Sequence, residues 1–386
     1  MILSKNNKIC NMSNFWKKIK ENKNSSFAEA SANRPFFALA PMLDVTDSAF
    51  REIVAKYGKP DVLWTEFVSC DGMCSEGKEK LMHLLHYTEK QRPIVAQLFG
   101  SNPENFKKTA RIVAELGYDG IDINMGCPQK TILKQGAGAC LISTPDLARE
   151  IIRATKKGAG DLPVSVKTRI GYKEDTLEEW LPVIIEEKPV AITVHGRTQK
   201  EMSQVPARWD RIKKAVEMAK GTGIIMIGNG DVKSIEEGIE RAKESGVDGV
   251  MIGRGIFGNP WLFSRKCGQD ADIYRINAEK FVGTEYLQID NDLDTGCPSI
   301  EEKLGVLIEH IELYEKYYAK EYKEGDWVFK SSRSDGRIKP FNMMKKHIGA
   351  YVKEFKGAKE LRMELMETES EKEAVDILKK YLRFKI

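Results

Sequence analysis

Gly120-Ile121-Asp122-Ile123-Asn124-Met125-Gly126-Cys127-Pro128 decides how the rest of the chain is read. An alternating apolar run with the pattern of a buried strand ends at Asn124, and a Gly-Cys-Pro turn follows at once. Glycine and proline force the chain out of regular structure, so Cys127 falls on a loop at the C-terminal end of a strand. In parallel α/β proteins that end of the sheet is where chemistry is built. The alternative for Cys127 is a small apolar filler beneath the turn.

Seven further runs of the same kind lie outward from it, at residues 37–41, 61–67, 93–99, 163–169, 190–195, 224–228 and 248–253. Each is short, rich in Val, Ile, Leu or Phe, and closed by polar or glycine residues. A parallel sheet covered on both faces requires such runs. Helical patterns fall between them: 47–57; 105–116, with Ser101 or Asn102 as cap and Pro103 at its start; one opened by Ser143, Thr144 and Pro145; and 234–245. Eight β/α units in about 230 residues predict an α/β fold, a (β/α)8 TIM barrel. A doubly wound sheet is the alternative, but the even spacing of eight strands favours closure.

After residue 263 the pattern changes. Residues 266–298 are polar and irregular, and long amphipathic helices follow at 299–318, 341–355 and 370–384. The expected division is a polar basic N-terminal arm (1–34) with one short amphipathic stretch (Phe15, Trp16, Ile19), a barrel (35–265), an irregular insert (266–298) and a C-terminal all-α helical domain (299–386).

The 386 residues are 41% hydrophobic and 31% charged, as in ordinary globular proteins. No apolar run approaches the roughly 20 residues of a bilayer span, and no signal peptide is evident, so a cytoplasmic protein without membrane contact is expected. Seven scattered cysteines (Cys10, Cys70, Cys74, Cys127, Cys140, Cys267, Cys297) argue for reduced thiols. Net charge is only +4, but residues 1–34 hold seven basic side chains against Glu21 and Glu29. Residues 316–346 hold nine against four acidic ones, interleaved with Tyr317, Tyr318, Tyr322, Trp327 and Phe329. Basic stretches mixed with aromatics suit a polyanion such as RNA; two solvated surface stretches are the plainer alternative.

Strand ends build a barrel's site. Here they carry Pro41 and Met42, Gln97, Asn124 with Cys127, Lys167 with Arg169, His195 with Arg197, Gly228-Asn229-Gly230-Asp231, and Gly253-Arg254-Gly255. Glycine-rich turns after strands seven and eight form the usual barrel phosphate site, to which Arg254 adds a fork of donors. The run Gly253-Arg254-Gly255-Ile256-Phe257-Gly258 fits G-x-G-x-x-G, but no βαβ unit follows it, so a single phosphate is the better reading. Gln97 facing an imide-like edge, Lys167 facing a ring that becomes anionic on reduction, and His195 as a further donor describe a flavin mononucleotide (FMN) pocket. A solvated lysine and a core histidine are the plain alternatives for Lys167 and His195. Cys70 and Cys74 with His83 and His86 resemble metal-ligand spacing, but no second cysteine pair accompanies them and no metal is expected.

In combination these motifs resemble the tRNA-dihydrouridine synthase family. The likeness rests on Ala40-Pro41-Met42 with Thr46-Asp47 and Phe50-Arg51, Gln97-Leu98-Phe99-Gly100, Asp122 to Pro128 with Gly136-Ala137-Gly138-Ala139, Val166 to Arg169, His195 to Thr198, Gly228 to Asp231 and Met251 to Gly255. It runs in order over roughly residues 36–263, and the tail with Lys345-Lys346-His347 and Leu361-Arg362 resembles that family's RNA-binding domain. The resemblance implies FMN-dependent reduction of uridine to 5,6-dihydrouridine in tRNA, with NADPH as reductant. It further implies hydride transfer to uracil C6 and a proton from Cys127 to C5, with Asn124 and Arg169 near the uracil and Arg197 on the RNA. A target uridine must leave its stack for this chemistry. Residues 199–206 depart from the family's aromatic-and-glycine continuation, and 266–298 is longer than expected. The rival readings are a small-molecule FMN barrel of the dihydroorotate-dehydrogenase kind and an RNA-binding barrel without catalysis.

Overall fold

Residues 15, 16, 18, 19, 34–264, 298–325, 327–331 and 333–384 are described by the structure, a computed structural model. Most of the N-terminal arm and all but Pro298 of the expected insert lie outside the described residues.

Eight parallel strands form one sheet: β1 (Phe36–Leu39), β2 (Leu63–Ser69), β3 (Ile94–Phe99), β4 (Gly120–Met125), β5 (Val164–Gly171), β6 (Ala191–Thr198), β7 (Ile225–Asn229) and β8 (Gly249–Ile252). Their order is β1-β8-β7-β6-β5-β4-β3-β2. The two ends meet through a parallel bridge between Ala38 and Val62, with Leu39 N–H donating to Val62 C=O at 3.2 Å. The expected barrel is therefore closed. Its covering helices are α1 (Ser48–Tyr57), α2 (Pro103–Glu115), α3 (Pro145–Ala159), α4 (Leu177–Glu186), α5 (Trp209–Ala219) and α6 (Ile235–Ser245). Local chemistry starts several of them. Asp47 caps α1, Asn102 caps α2 with Pro103 in its first turn, and Ser234 caps α6, each through a side-chain oxygen that accepts an otherwise unpaired N–H. Glycine is needed where α2 and α3 touch: a Cβ on Gly158 would sit 2.1 Å from Lys107 C=O.

Every second strand residue faces the barrel axis, and the inward set changes character along the strands. At the N-terminal end it is apolar: Phe36, Ala38, Trp64, Val95, Ala191, Ile225 and Ile227 form one buried cluster. Toward the C-terminal end it is polar, running from Val95 to Gln97, Ser165 through Lys167 to Arg169, and Thr193 through His195 to Arg197. Phe15 and Trp16 insert from the N-terminal arm into the apolar end, with Trp16 edge-on to Phe36 (6.1 Å) and Trp64 (6.2 Å). The amphipathic stretch is thus a plug for the barrel floor. Trp16→Ala should cost about 3–5 kcal/mol, and an unchanged midpoint in urea unfolding would contradict the plug.

The C-terminal region holds the three expected helices, α7 (Ile300–Tyr318), α8 (Lys345–Tyr351) and α10 (Glu371–Phe384), and a further one, α9 (Ala358–Glu367). It is not all-α, because residues 321–330 form an antiparallel hairpin, β9 (Glu321–Glu324) with β10 (Trp327–Lys330). Ser299 and Glu302 form a capping box at the start of α7. The region packs along α1, burying Ala49, Ile53 and Trp261 with Leu304, Leu307, Ile311 and Tyr314. One expectation is corrected here. Tyr317, Tyr318, Tyr322 and Phe329 are buried, not offered to RNA. Tyr317, Tyr322, Trp327 and Phe329 enclose the His86 ring at centroid distances of 4.8–5.4 Å. Hydrophobic burial of these large rings outweighs any stacking role their basic neighbours suggest.

Candidate active site

Parallel register sets the polar ends of the strands level with one another. Gln97 pairs with Asp122, Asn124 with Lys167, Arg169 with His195, and His195 with Asn229. Partners in register point to the same side of a sheet, so these side chains share the C-terminal mouth of the barrel.

A chain of directed hydrogen bonds begins at Asp122. Its carboxylate accepts from Ser165 Oγ (2.6 Å) and Gln97 Nε2 (2.7 Å). Asn124 Nδ2 donates to Gln97 Oε1 (3.0 Å), and Asn124 Oδ1 accepts from the N–H groups of Gly126 (3.1 Å) and Cys127 (2.9 Å). An ionised carboxylate only accepts, so it dictates the orientation of both amides. Burial pushes the Asp122 carboxyl up to about 6, against the lowering effects of Gln97, Ser165 and Lys167. Gln97 and Asn124, expected on cofactor and substrate, are buried and bonded to each other, and Asn124 also fixes the Cys127 backbone. Asp122 and Ser165 were not singled out from sequence. The available signal was the inward position of Asp122, two residues before Asn124.

Cys127 is half-buried beside Phe67, Ile132 and Ala137, with its carbonyl accepting from Ala139 N–H at 3.1 Å. Desolvation raises its thiol above the ordinary value, partly offset by the Gln129 N–H and by Arg169 and Lys167. The thiol keeps its proton at neutral pH. Arg169 Nε donates to Gly126 C=O (2.7 Å), and its Nη1 donates to Thr198 C=O (3.0 Å) and Met202 C=O (3.2 Å). Arg169 thus ties the Cys127 turn to the loop after β6.

Lys167 Nζ donates to Asn229 Oδ1 at 3.0 Å, and Asn229 Nδ2 donates to Met251 C=O at 2.8 Å. Burial pushes Lys167 down to about 8, with Arg169 adding repulsion and Asp122 opposing it. Among the described residues neither Lys167 nor Arg169 has a carboxylate within ion-pair distance. His195 is held neutral by burial and by the surrounding Arg169, Lys167, Arg197 and Arg254. Its Nε2 lies 3.1 Å from Arg197 Nη1. A guanidinium only donates, so Nε2 accepts and the ring proton sits on Nδ1.

Arg197 departs from the expected RNA contact. Strand β6 continues to Thr198, paired with Gly171, which places Arg197 in the barrel wall at 3% exposure. It donates to Val205 C=O (2.6 Å) and forms an ion pair with Asp231. Asp231 also accepts from Ala207 N–H (2.8 Å) and from Arg254 (3.1 Å), whose guanidinium remains 60% exposed. At Gly228 a Cβ would lie 2.5 Å from the Trp209 ring, so its lack of a side chain serves packing. Gly230, at φ 137°, adopts a backbone open to glycine. A Cβ on Gly253 would meet only Ala40 and Met42, both at 3.6 Å, which puts the half-buried Pro41–Met42 turn against the β8 end.

The Cys70, Cys74, His83 and His86 spacing forms no centre. His86 is enclosed by rings, and Cys74 Sγ lies 3.6 Å from Asn105 C=O. No group of three or more potential metal ligands occurs among the described residues, and none of their helices is long and apolar enough to cross a membrane.

Residues 38–288 match the family model described as dihydrouridine synthase. A Staphylococcus aureus (strain COL) protein named "Probable tRNA-dihydrouridine synthase" is 38% identical over 354 residues, covering 90% of this chain and 93% of that protein. "Probable tRNA-dihydrouridine synthase 2" of Bacillus subtilis (strain 168) is 37% identical over 355 residues, covering 91% and 95%. Among solved structures, morphinone reductase in complex with tetrahydroNAD aligns at 12% identity and a TM-score of 0.41, over 63% of this chain and 86% of that one. That likeness is too distant to add to the assignment. With a closed parallel barrel and a thiol-bearing turn at its mouth, the chain belongs to the dihydrouridine synthase family.

Proposed function

We propose that this protein reduces specific uridines in tRNA to 5,6-dihydrouridine, with FMN as cofactor, NADPH as reductant and Cys127 as the proton donor. The observation that carries this reading is the charge imbalance at the mouth. Among the described residues Lys167 and Arg169 have no carboxylate at ion-pair distance, Arg197 and Arg254 share Asp231, and a protonated thiol stands beside them. Buried cations without counter-charges are costly, so such a mouth favours an anionic guest.

The donors suit FMN. Lys167 would face the electron-rich edge of the ring, His195 would offer its Nδ1–H, and Arg254 with the open backbone at Gly230 and Gly253 would take the phosphate. Pro41 and Met42 would border the same group. When bound and reduced, FMN would supply hydride chemistry at uracil C6. Cys127 then gives its proton to C5, and the nearby Arg169 and Lys167 stabilise the thiolate left behind. Arg169 orients this step by holding Gly126. The C-terminal region, residues 299–386, would present its exposed lysines and arginines to the tRNA backbone as point charges, since its aromatic rings are internal.

Purified protein should take up one FMN and reduce uridine in tRNA lacking dihydrouridine. FMN affinity should hold at pH 6–7 and fall as pH rises through about 8, where free Lys167 loses its charge. Lys167→Met should weaken binding and abolish that pH dependence. A protein that cannot be loaded with FMN would sink the reading.

A further inference from the structure

We propose that Lys339 of the C-terminal region is a positioning residue for the cofactor pocket: through Glu66 it fixes the turn between β1 and α1, so docking of that region and retention of FMN are coupled. The proposal rests on the FMN reading above.

Lys339 follows the hairpin and reaches across to the barrel. Its Nζ lies 2.7 Å from Glu66 Oε2 and 3.6 Å from Asp47 Oδ2. All three side chains are at least nine-tenths buried. Glu66 stands midway along β2, where the register with β3 shifts, and its other oxygen accepts from Asp44 N–H at 2.6 Å. Asp44 has φ 56°, a left-handed conformation that a non-glycine residue holds only when something fixes it. The same turn is closed by Met42 N–H donating to Thr46 Oγ1 (2.8 Å), and it ends at Asp47, the cap of α1. Lys346 adds an outer contact, 3.5 Å from Asp44 Oδ2. Met42 sulfur in turn lies against Gly253. A continuous path therefore runs from Lys339 through Glu66 and Asp44 to Met42 and the β8 end.

Burial favours the protonated form of Glu66, and Lys339 is the main influence that opposes it. Without the lysine, Glu66 is left as a buried acid facing Asp47, and its charge-assisted bond to Asp44 N–H weakens. The other end of α1 offers a control. There Glu309 accepts from Lys56 (2.7 and 2.8 Å) and from Tyr57 Oη (2.6 Å), joining the two regions without touching the turn.

The test compares Lys339→Met, Lys339→Arg and Glu309→Gln in the full chain. FMN dissociation constants are read by fluorescence quenching, and amide hydrogen exchange is read in the flavin-free protein. Lys339→Met should weaken FMN binding at least tenfold and speed exchange at residues 42–47, while turnover per bound flavin stays near wild type. Lys339→Arg should restore part of the affinity, and Glu309→Gln should leave it unchanged. Glu66→Gln, which keeps the volume, should repeat the Lys339→Met pattern and serves if that variant does not fold. Unchanged affinity and exchange in Lys339→Met or Glu66→Gln overturn the proposal. So does an equal loss of affinity in Glu309→Gln, which would make the effect one of general docking. Wild-type protein that takes up no FMN defeats the flavin reading itself, and faster exchange at 42–47 would still register the clamp independently.

Discussion

Cys127→Ala is expected to retain FMN and to lose uridine reduction by about 10²–10⁴-fold, the usual range for removing a positioned general acid. The thiol has no backbone role that alanine would disturb. Its turn is held by Asn124 Oδ1 on the Cys127 N–H, by Arg169 on Gly126 C=O and by Ala139 on Cys127 C=O. Affinity for the cofactor should therefore survive while the proton is lost. The sign of the pH dependence follows from the raised thiol. Proton donation should stay available from pH 6 past the ordinary thiol value of about 8.5 and decline only above it. Dihydrouridine formed per bound flavin is the quantity to measure, and turnover equal to wild type would remove Cys127 from the mechanism.

Asp122→Asn carries the second large effect, although it changes almost no volume. The carboxylate accepts from both Ser165 and Gln97. An asparagine amide turns one acceptor into a donor: facing Gln97 it sets two donors face to face, and facing Ser165 it makes that hydroxyl turn its proton to the poorer acceptor Ile121 C=O at 3.3 Å. If Gln97 rotates to relieve the clash, its amine meets the Asn124 amine, and Asn124 must turn its oxygen away from Cys127 N–H. Each buried group left unpaired costs about 1–3 kcal/mol. Turnover should thus fall by roughly tenfold for every 1.4 kcal/mol that reaches the Cys127 turn. Stability should respond differently. The folded carboxyl is raised to about 6, so this group's contribution to stability is greatest at low pH and declines as pH rises to about 6. Asparagine removes that slope. Urea unfolding at pH 4 and pH 7 measures it, and a variant with wild-type turnover would show that the relay does not govern the site.

Much of the barrel was legible because its signals are local. Alternation at Gly120 to Met125, the caps Asp47, Asn102 and Ser234, and the glycine-rich turns after β7 and β8 depend on residues within a few positions of one another. The helical tail was legible in part, through the amphipathic pattern of 299–318, 341–355 and 370–384, whereas the hairpin at 321–330 and α9 gave no such pattern. Strand ends shifted by one to three residues, and for Arg197 this mattered. A strand expected to stop at His195 runs to Thr198, and an arginine expected on RNA is instead part of the wall.

Local pattern along the chain was enough to specify the eight-unit barrel, the polar residues at its strand ends and the loop that carries Cys127. Periodicity and turn chemistry are properties of neighbours along the chain, and they specify which way a side chain faces. What each side chain meets follows from closure of the barrel and docking of the C-terminal region. Asp231 lies 34 residues from its partner Arg197, Asp122 lies 25 from Gln97, and Lys339 lies 273 from Glu66. The aromatic residues of 316–346 show the same division, being reactive-looking in a basic stretch yet consumed by burial around His86. Charges and rings acquire their roles from desolvation and from the partners that closure of the barrel brings within reach, and no local pattern encodes those partners.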